Sequence, residues 1–264
     1  MSDSPTELTL DDGVATITLN RPDRRNALSE EISAGIRDAL ADIADGDARC
    51  VVIEGAGGAF SAGGDIDAMR ERFESDESID EQVRRLERTT SETVARLATF
   101  PLPTIAKIDG AAFGAGANLA IACDVQLASD DATVGFGFRQ VGLSIDAGTS
   151  YLLPRLVGEN VAKELVFTGE LLDAERALDL GLVNHVYPAE EFEERADAFV
   201  ERVATGPTVA LRHAKRLLGE GLDKSIDRAM SDEATAQGIV FGTDDHEEGV
   251  RAFLEDREPE FEGR

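Results

Sequence analysis

Two runs of small residues stand where backbone amides could do chemistry: Ala62-Gly63-Gly64-Asp65 and Gly114-Ala115-Gly116. Each comes shortly after an apolar run that reads as a strand, Cys50–Ile53 and Thr104–Ile108. Small side chains leave N–H groups open to a ligand, and at the second run a following helix adds unpaired amides and its positive dipole end. Two such loops side by side would form a two-donor oxyanion hole, stabilising an enolate by roughly 3–4 kcal/mol per donor. The same glycines would also serve close packing of strand on helix. Other chemistries are poorly provided for. Gly55-Ala56-Gly57-Gly58-Ala59-Phe60 lacks the third glycine of a dinucleotide fingerprint, and no Gly-Lys-Ser/Thr occurs. His185, His213 and His246 lie far apart without ligand partners, so no metal site is expected. Ser61 and Ser144 lack the neighbouring His–Asp pair of a hydrolase triad.

The elements that would position these loops follow from patterning. Residues 6–10 and 14–19 alternate around Asp11-Asp12-Gly13, which predicts a hairpin. Ser29 can cap a helix reaching about Asp45, with Ile32, Ile36, Leu40 and Ile43 as its apolar stripe. The charged stretch Arg70–Asp80 is poorly patterned and reads as a mobile surface segment, with helix resuming from about Glu81 to Ala98. Strand, small-residue loop and helix alternate at least twice, which argues an α/β fold. Beyond about residue 158 the pattern is mostly helical: 159–167, 174–180, 190–204, 207–219, 222–240 and 244–254. We expect a core at 1–200 and a helical oligomerisation segment at 201–264.

Charge narrows the partners. The 264 residues carry 26 basic and 53 acidic side chains, a net charge of −27. Nucleic acid and anionic membrane surfaces are therefore unsuitable partners. Lysine is rare, at Lys107, Lys163, Lys215 and Lys224 only, and every other basic residue is arginine. Acid excess spread along the whole chain fits a protein from a high-salt, halophilic cytoplasm, where screening acts within a few ångströms. An acidic protein of an ordinary cytosol is the plainer alternative. Cys50 and Cys123 sit in apolar runs, which suits a reducing compartment and no disulfide framework. The first residues show neither the basic nor the apolar stretch of a signal peptide, so none is expected, and no window approaches the roughly 20 continuous apolar residues of a membrane span. A cytoplasmic location is expected.

Along nearly its whole length the chain resembles the enoyl-CoA hydratase/isomerase (crotonase) superfamily. The matching stretches are Ile17–Pro22 with Arg25-Asn26-Ala27-Leu28, Ala59–Ile66, Ile108-Asp109-Gly110 with Gly114-Ala115-Gly116, and Ala122-Cys123-Asp124. Leu153–Gly158, Thr168-Gly169-Glu170, Gly181–Asn184 and Glu248–Phe253 complete the series. The resemblance implies a spiral of ββα turns with a C-terminal helical trimerisation segment, assembled as a homotrimer or a dimer of trimers. It implies an acyl-CoA thioester substrate whose carbonyl accepts from the N–H groups of Gly64 and Ala115. Arg25, Ala27, Ala62, Asp65 and Ile66 would lie along the substrate. No separate cofactor is implied, since coenzyme A belongs to the substrate.

Departures from the family pattern sharpen the reading. Hydratases of this family carry two glutamates; here Asn118 and Phe138 stand at those positions, both expected to line the substrate. Neither side chain is a base near neutrality. Gly142-Leu143-Ser144-Ile145-Asp146-Ala147-Gly148 resembles instead the segment of the ring-epoxide isomerase branch of phenylacetyl-CoA breakdown, whose aspartate is the acid/base. Asp146 matches it, with Ile145 in place of the usual proline. An Asp146 that only caps the following helix is the alternative. The same segment is similar to chlorobenzoyl-CoA dehalogenases, but their Trp is absent and Ser91 replaces their histidine. The resemblance thus implies double-bond isomerisation first, enoyl-CoA hydration second, and a non-catalytic acyl-CoA-binding protein third.

Overall fold

A computed structural model describes residues 4–73 and 75–264. Strands β1 (Thr6–Asp11) and β2 (Val14–Leu19) pair antiparallel, with Thr6 opposite Leu19. Asp12 and Gly13 at the tip have φ of 45° and 79°, the left-handed pair that a two-residue hairpin requires. From β2 onward every pairing in the large sheet is parallel: β3 (Cys50–Gly55), β4 (Thr104–Ile108), β6 (Val125–Ser129) and β9 (His185–Tyr187). A second sheet holds β5 (Ala111–Phe113), β7 (Thr133–Gly135) and β8 (Leu171–Asp173). The chain steps from β4 to β5, then enters helix α5 (Ala115–Ile121), and a second step from β6 to β7 repeats the turn.

All five residues of β4 are buried, because both faces of the parallel sheet are covered. Val51 and Ile53 face the main core with helix α1 (Glu30–Ala44), where Ile32, Ile36, Leu40 and Ile43 are buried. Cys50 and Val52 face the other way, against Phe192, Ala196 and Val200 of helix α9 (Phe192–Ala204). Burial pushes the Cys50 thiol up to about 11 and raises Cys123 as well, so both are inert thiols.

The charged stretch expected to be mobile is helical at both ends. Helix α2 (Ile66–Phe73) takes in Arg70, and α3 (Ile79–Leu86) begins before Asp80. Ser78 and Glu81 form a reciprocal capping box, and Arg84 and Arg85 pair with Asp80 and Glu77 at 2.8 and 2.6 Å. Nor is Glu81–Ala98 one uniform helix. A π turn at Glu87–Ser91 separates α3 from α4 (Glu92–Ala98). Arg37 of α1 reaches into the widened turn, donating to the Thr89 carbonyl at 3.2 Å and the Thr93 hydroxyl at 2.8 Å.

Helices α6 (Thr149–Val157) and α7 (Glu159–Thr168) precede β8, and α8 (Ala174–Asp179) packs on it and leads to β9. Past α9, through which the boundary drawn at residue 200 passes, lie α10 (Thr208–Gly221), α11 (Ile226–Val240) and α12 (Asp244–Glu255). These last three helices expose Leu218, Ile226, Met230 and Phe253, with Leu222 exposed in the turn between α10 and α11. Lys215 ties α10 to the core, 2.7 Å from Asp124 and 2.9 Å from the Leu102 carbonyl. Among the described residues, no helix is long and apolar enough to cross a membrane.

Candidate active site

Glycine is compulsory where the two small-residue runs meet. A Cβ on Gly63, whose φ is 88°, would lie 2.4 Å from the Phe113 carbonyl and 3.3 Å from the Ala115 nitrogen. One on Gly116 would lie 2.4 Å from the Ser61 carbonyl. Backbone bonds lock the contact: Ser61 N–H donates to Ala111 at 3.0 Å and Phe113 N–H to Ser61 at 2.9 Å. Among the described residues neither the Gly64 nor the Ala115 N–H donates to a protein acceptor. Both runs thus lie together, each with one amide left without a protein acceptor among the described residues.

The direction of each open amide is fixed through its own peptide plane. Gly63 C=O, in one plane with Gly64 N–H, accepts from Leu28 N–H at 2.7 Å. Gly114 C=O, in one plane with Ala115 N–H, accepts from Asn118 N–H at 3.1 Å. Ala115 is also the first residue of α5, where an amide has no partner within the helix.

The loop Arg21–Leu28 is built onto the first of these runs. Arg25 and Asn26 take left-handed φ of 48° and 54°. The wholly buried Asn26 accepts from Arg21 N–H at 2.8 Å and donates to the carbonyls of Ala56 and Ala59 at 2.9 and 2.7 Å. Ser61 Oγ, equally buried, donates to the Asn26 carbonyl at 2.8 Å and accepts from Gly63 N–H at 3.3 Å. Ala62 N–H donates to the Arg25 carbonyl at 2.8 Å. Asn26 and Ser61 were not expected at the site. The available signal was an asparagine, which tolerates the left-handed region, between a proline turn and a helix cap. Arg25 is exposed, forms no ion pair among the described residues, and lies beside half-buried Ala27 and Ala62.

Three of the expected substrate contacts, Asp65, Phe138 and Asn118, have partners within the protein. Asp65 caps α2, accepting from Asp67 and Ala68 N–H at 2.9 and 3.3 Å, and its other oxygen pairs with Arg24 at 3.1 Å. Its carboxylate therefore orients α2 and leaves Ile66, 60% exposed, at the helix start. Phe138 lies in the 3-10 turn Gly137–Val141 and is buried in the main core, since Gly137 is packed flat on Phe113. Asn118 is wholly buried, and its amide is engaged within the protein. Nδ2 donates to the Asp146 carbonyl at 3.1 Å, and Oδ1 accepts from the Thr149 hydroxyl at 2.9 Å.

Asp146 is half-buried, with Oδ1 shielded from solvent, one residue before Ala147 and Gly148 at φ of 45° and 82°. Left-handed alanine is strained by about 1 kcal/mol, and the fixed loop sustains it. The carboxylate does not cap α6 as the alternative reading expected. Gly148 is the cap residue without a side-chain bond, and Asp146 contributes its carbonyl, to Thr149 N–H at 3.0 Å. Val94 of α4 lies 3.5 Å from a Cβ placed on Gly148, so the loop is held between α4 and α5.

The histidines stand apart from this site: His185 stacks on Tyr187 and His246 lies against Phe241. A surface cavity of about 570 Å³ also lies elsewhere, lined by charged groups including Asp245, Glu248 and Arg257 of α12 and its following segment. That lining suits water and ions and offers no wall for an acyl chain.

Comparison with known proteins identifies the family. The family described as Enoyl-CoA hydratase/isomerase matches residues 9–264. The chain belongs to this family. A crotonyl-CoA hydratase of Syntrophomonas wolfei is 36% identical over 256 residues, covering 94% of each chain. A 1,2-epoxyphenylacetyl-CoA isomerase of Escherichia coli is 33% identical over 259 residues, covering 96% of each. The crystal structure of an enoyl-CoA hydratase from Bacillus anthracis superposes with a TM-score of 0.91 at 33% identity, over 98% of this chain and all of that one. The fold is accordingly the crotonase type, and the chain is an enzyme of a family acting on acyl-CoA thioesters. Relatives bear both hydratase and isomerase names.

Proposed function

We propose that the enzyme moves a double bond in an enoyl-CoA thioester, with Asp146 as its single acid/base. The observation that carries this reading is the burial of Asn118. It occupies the position where the resemblance expects the first hydratase glutamate, and both its amide atoms are engaged by the Asp146 loop. It therefore neither activates nor orients a water, and buried Phe138 offers no second proton route. What remains is one carboxylate on a loop bonded to α5, the helix that Ala115 begins.

One carboxylate suffices for isomerisation. Asp146 takes a proton from C2 of a 3-enoyl thioester, and the electron pair moves into the carbonyl. The dienolate oxygen accepts from Gly64 and Ala115 N–H, which lowers the barrier to its formation. Asp146 then returns the proton to C4, leaving the double bond at C2–C3. Exposed Arg25 attracts the phosphates of coenzyme A, with Ala27, Ala62 and Ile66 along its length, and no further cofactor takes part. The exposed apolar residues of α10 to α12 support a homotrimer, alone or as a dimer of trimers, in a cytoplasm rich in salt.

Assaying 3-enoyl-CoA isomerisation beside crotonyl-CoA hydration tests the reading; hydration outrunning isomerisation would refute it. Asp146→Asn is expected to lower isomerisation at least about 10²-fold while acyl-CoA still binds. Turnover near the native rate in that variant would remove Asp146 from the mechanism.

A further inference from the structure

The loop Arg21–Leu28 gathers three arginines within five residues, Arg21, Arg24 and Arg25, a density matched in this acidic chain at Arg84–Arg88. It is also the loop whose Leu28 N–H sets the peptide plane of the Gly64 donor. We propose that loop and donor form one mechanical unit, through which phosphate groups held at the arginines tighten the hydrogen bond from Gly64 to the thioester carbonyl. This deepens the reading of Gly64 and Ala115 as the carbonyl's donors and rests on it.

The connection is dense and short. Side-chain bonds from Asn26 to Ala56 and Ala59, and from Ser61 to Asn26, cross between the two segments. Backbone bonds from Ala62 to Arg25 and from Leu28 to Gly63 cross beside them. Arg24 pairs with Asp65, the residue directly after Gly64. Gly64 is thus bracketed on both sides by contacts to the arginine loop. Asn26 and Ser61 have no exposed surface, so water does not compete for these bonds. A pull on the loop moves the Gly63–Gly64 peptide rather than stretching a flexible side chain.

The consequence concerns how distant binding serves the reaction. A nucleotide end that only anchored the substrate would lower KM and leave kcat unchanged. A nucleotide end coupled to Gly64 raises kcat, because the carbonyl hydrogen bond strengthens as charge develops on oxygen. Ser61 is the positioning residue to test, since its hydroxyl touches both Asn26 of the loop and Gly63 of the donor peptide.

The experiment compares a saturated acyl-CoA with the matching acyl-pantetheine, which lacks the nucleotide phosphates. Both carry a ¹³C thioester carbonyl read by infrared difference spectroscopy on the wild-type and Ser61→Ala enzymes. The wild type should lower the carbonyl stretch more for the CoA ester, and its kcat should favour enoyl-CoA over enoyl-pantetheine by about tenfold or more, a fraction of one oxyanion donor's effect. Ser61→Ala should lose both differences while still binding acyl-CoA. Should that variant fail to fold by circular dichroism in molar salt, Ser61→Cys keeps the shape with a weaker hydrogen-bonding group and carries the same expectation. Equal carbonyl shifts for both esters in the wild type, or a full difference surviving in the variants, would overturn the coupling alone. No shift for either ester would overturn the Gly64–Ala115 reading and the coupling with it.

Discussion

Asn118 joins the two halves of the proposed catalytic arrangement, and replacing it by alanine should separate them. Its backbone N–H holds the Gly114 carbonyl and so aims the Ala115 amide, while its side chain holds the Asp146 loop. Asn118→Ala removes only the second connection. Two side-chain hydrogen bonds are lost, each worth about 0.5–1.5 kcal/mol net. No buried group is orphaned, because the single Thr149 hydroxyl proton can turn wholly to the Asp146 carbonyl at 2.8 Å, which also keeps Thr149 N–H at 3.0 Å. The stability loss should therefore stay near 1–3 kcal/mol, including the small cavity left by the amide. Activity should suffer more. A carboxylate displaced by about 1 Å loses on the order of 10²-fold in rate, so kcat should fall by that factor with KM changed less than about threefold. Asn118→Asp should be worse for folding, since it sets a buried carboxylate oxygen against the Asp146 carbonyl. Urea midpoints in molar potassium chloride, with steady-state isomerase kinetics, measure both effects. An Asn118→Ala enzyme with kcat within about threefold of native would show that this bond does not position Asp146.

Three further outcomes are expected. Exchange from molar to ~0.01 M salt lengthens the screening distance from about 3 to about 30 Å, so subunits of charge −27 should separate, and a trimer persisting by light scattering would contradict this. The Arg257 guanidinium and the Glu260 amide hold the Glu248 carboxyl down at about 2, below its ordinary 4.5. That contribution is present above about 4.5 and lost as pH falls toward 2, so the Glu260 amide NMR shift should titrate near 2, and a midpoint near 4.5 would refute the contact. Burial alone would lower Lys107, but bonds to Glu193 and Asp197 outweigh it and raise the ammonium above its ordinary 10.5. Its contribution is present below 10.5 and lost as pH climbs past the raised value; Lys107→Met should remove this alkaline step in the urea midpoint.

What the residues disclosed and what they concealed divide along a physical line. The hairpin was legible because Asp12-Gly13 accepts left-handed φ, and α1 because Ser29 and a four-residue stripe act within a single element. Strands β5, β7 and β8 are three residues each, too short for alternation to register, yet they carry the loops to the site. The two glycine runs were visible as sequence, whereas their meeting depends on Gly63 lying against Phe113, fifty residues on. Asp65, Asn118 and Asp146 show the harder limit. Residue type marked each as a polar candidate, but not whether its partner would be substrate, a helix end or a neighbouring loop. Asp65 found α2, and Asn118 found the Asp146 carbonyl.

The distribution of lysine follows from the same balance of local and long-range forces. Lys107 and Lys215 thread their stems through packed surroundings, with side chains only 7% and 13% exposed, to reach carboxylates from other elements. Lys163 and Lys224 pair with Glu159 and Glu220 one helical turn away. Every lysine is thus committed to a short ion pair, which salt screens little where it is buried. The wider acidic surface acts at longer range and is silenced by salt. Lys215 lies between these regimes: it fixes α10 on the core through Asp124, one turn before exposed Leu218. The face proposed for contact with a second subunit is therefore held by a contact that dilution of salt leaves intact, while the repulsion that would oppose assembly grows. Assembly should yield before the fold does, because the two depend on charges acting over different distances.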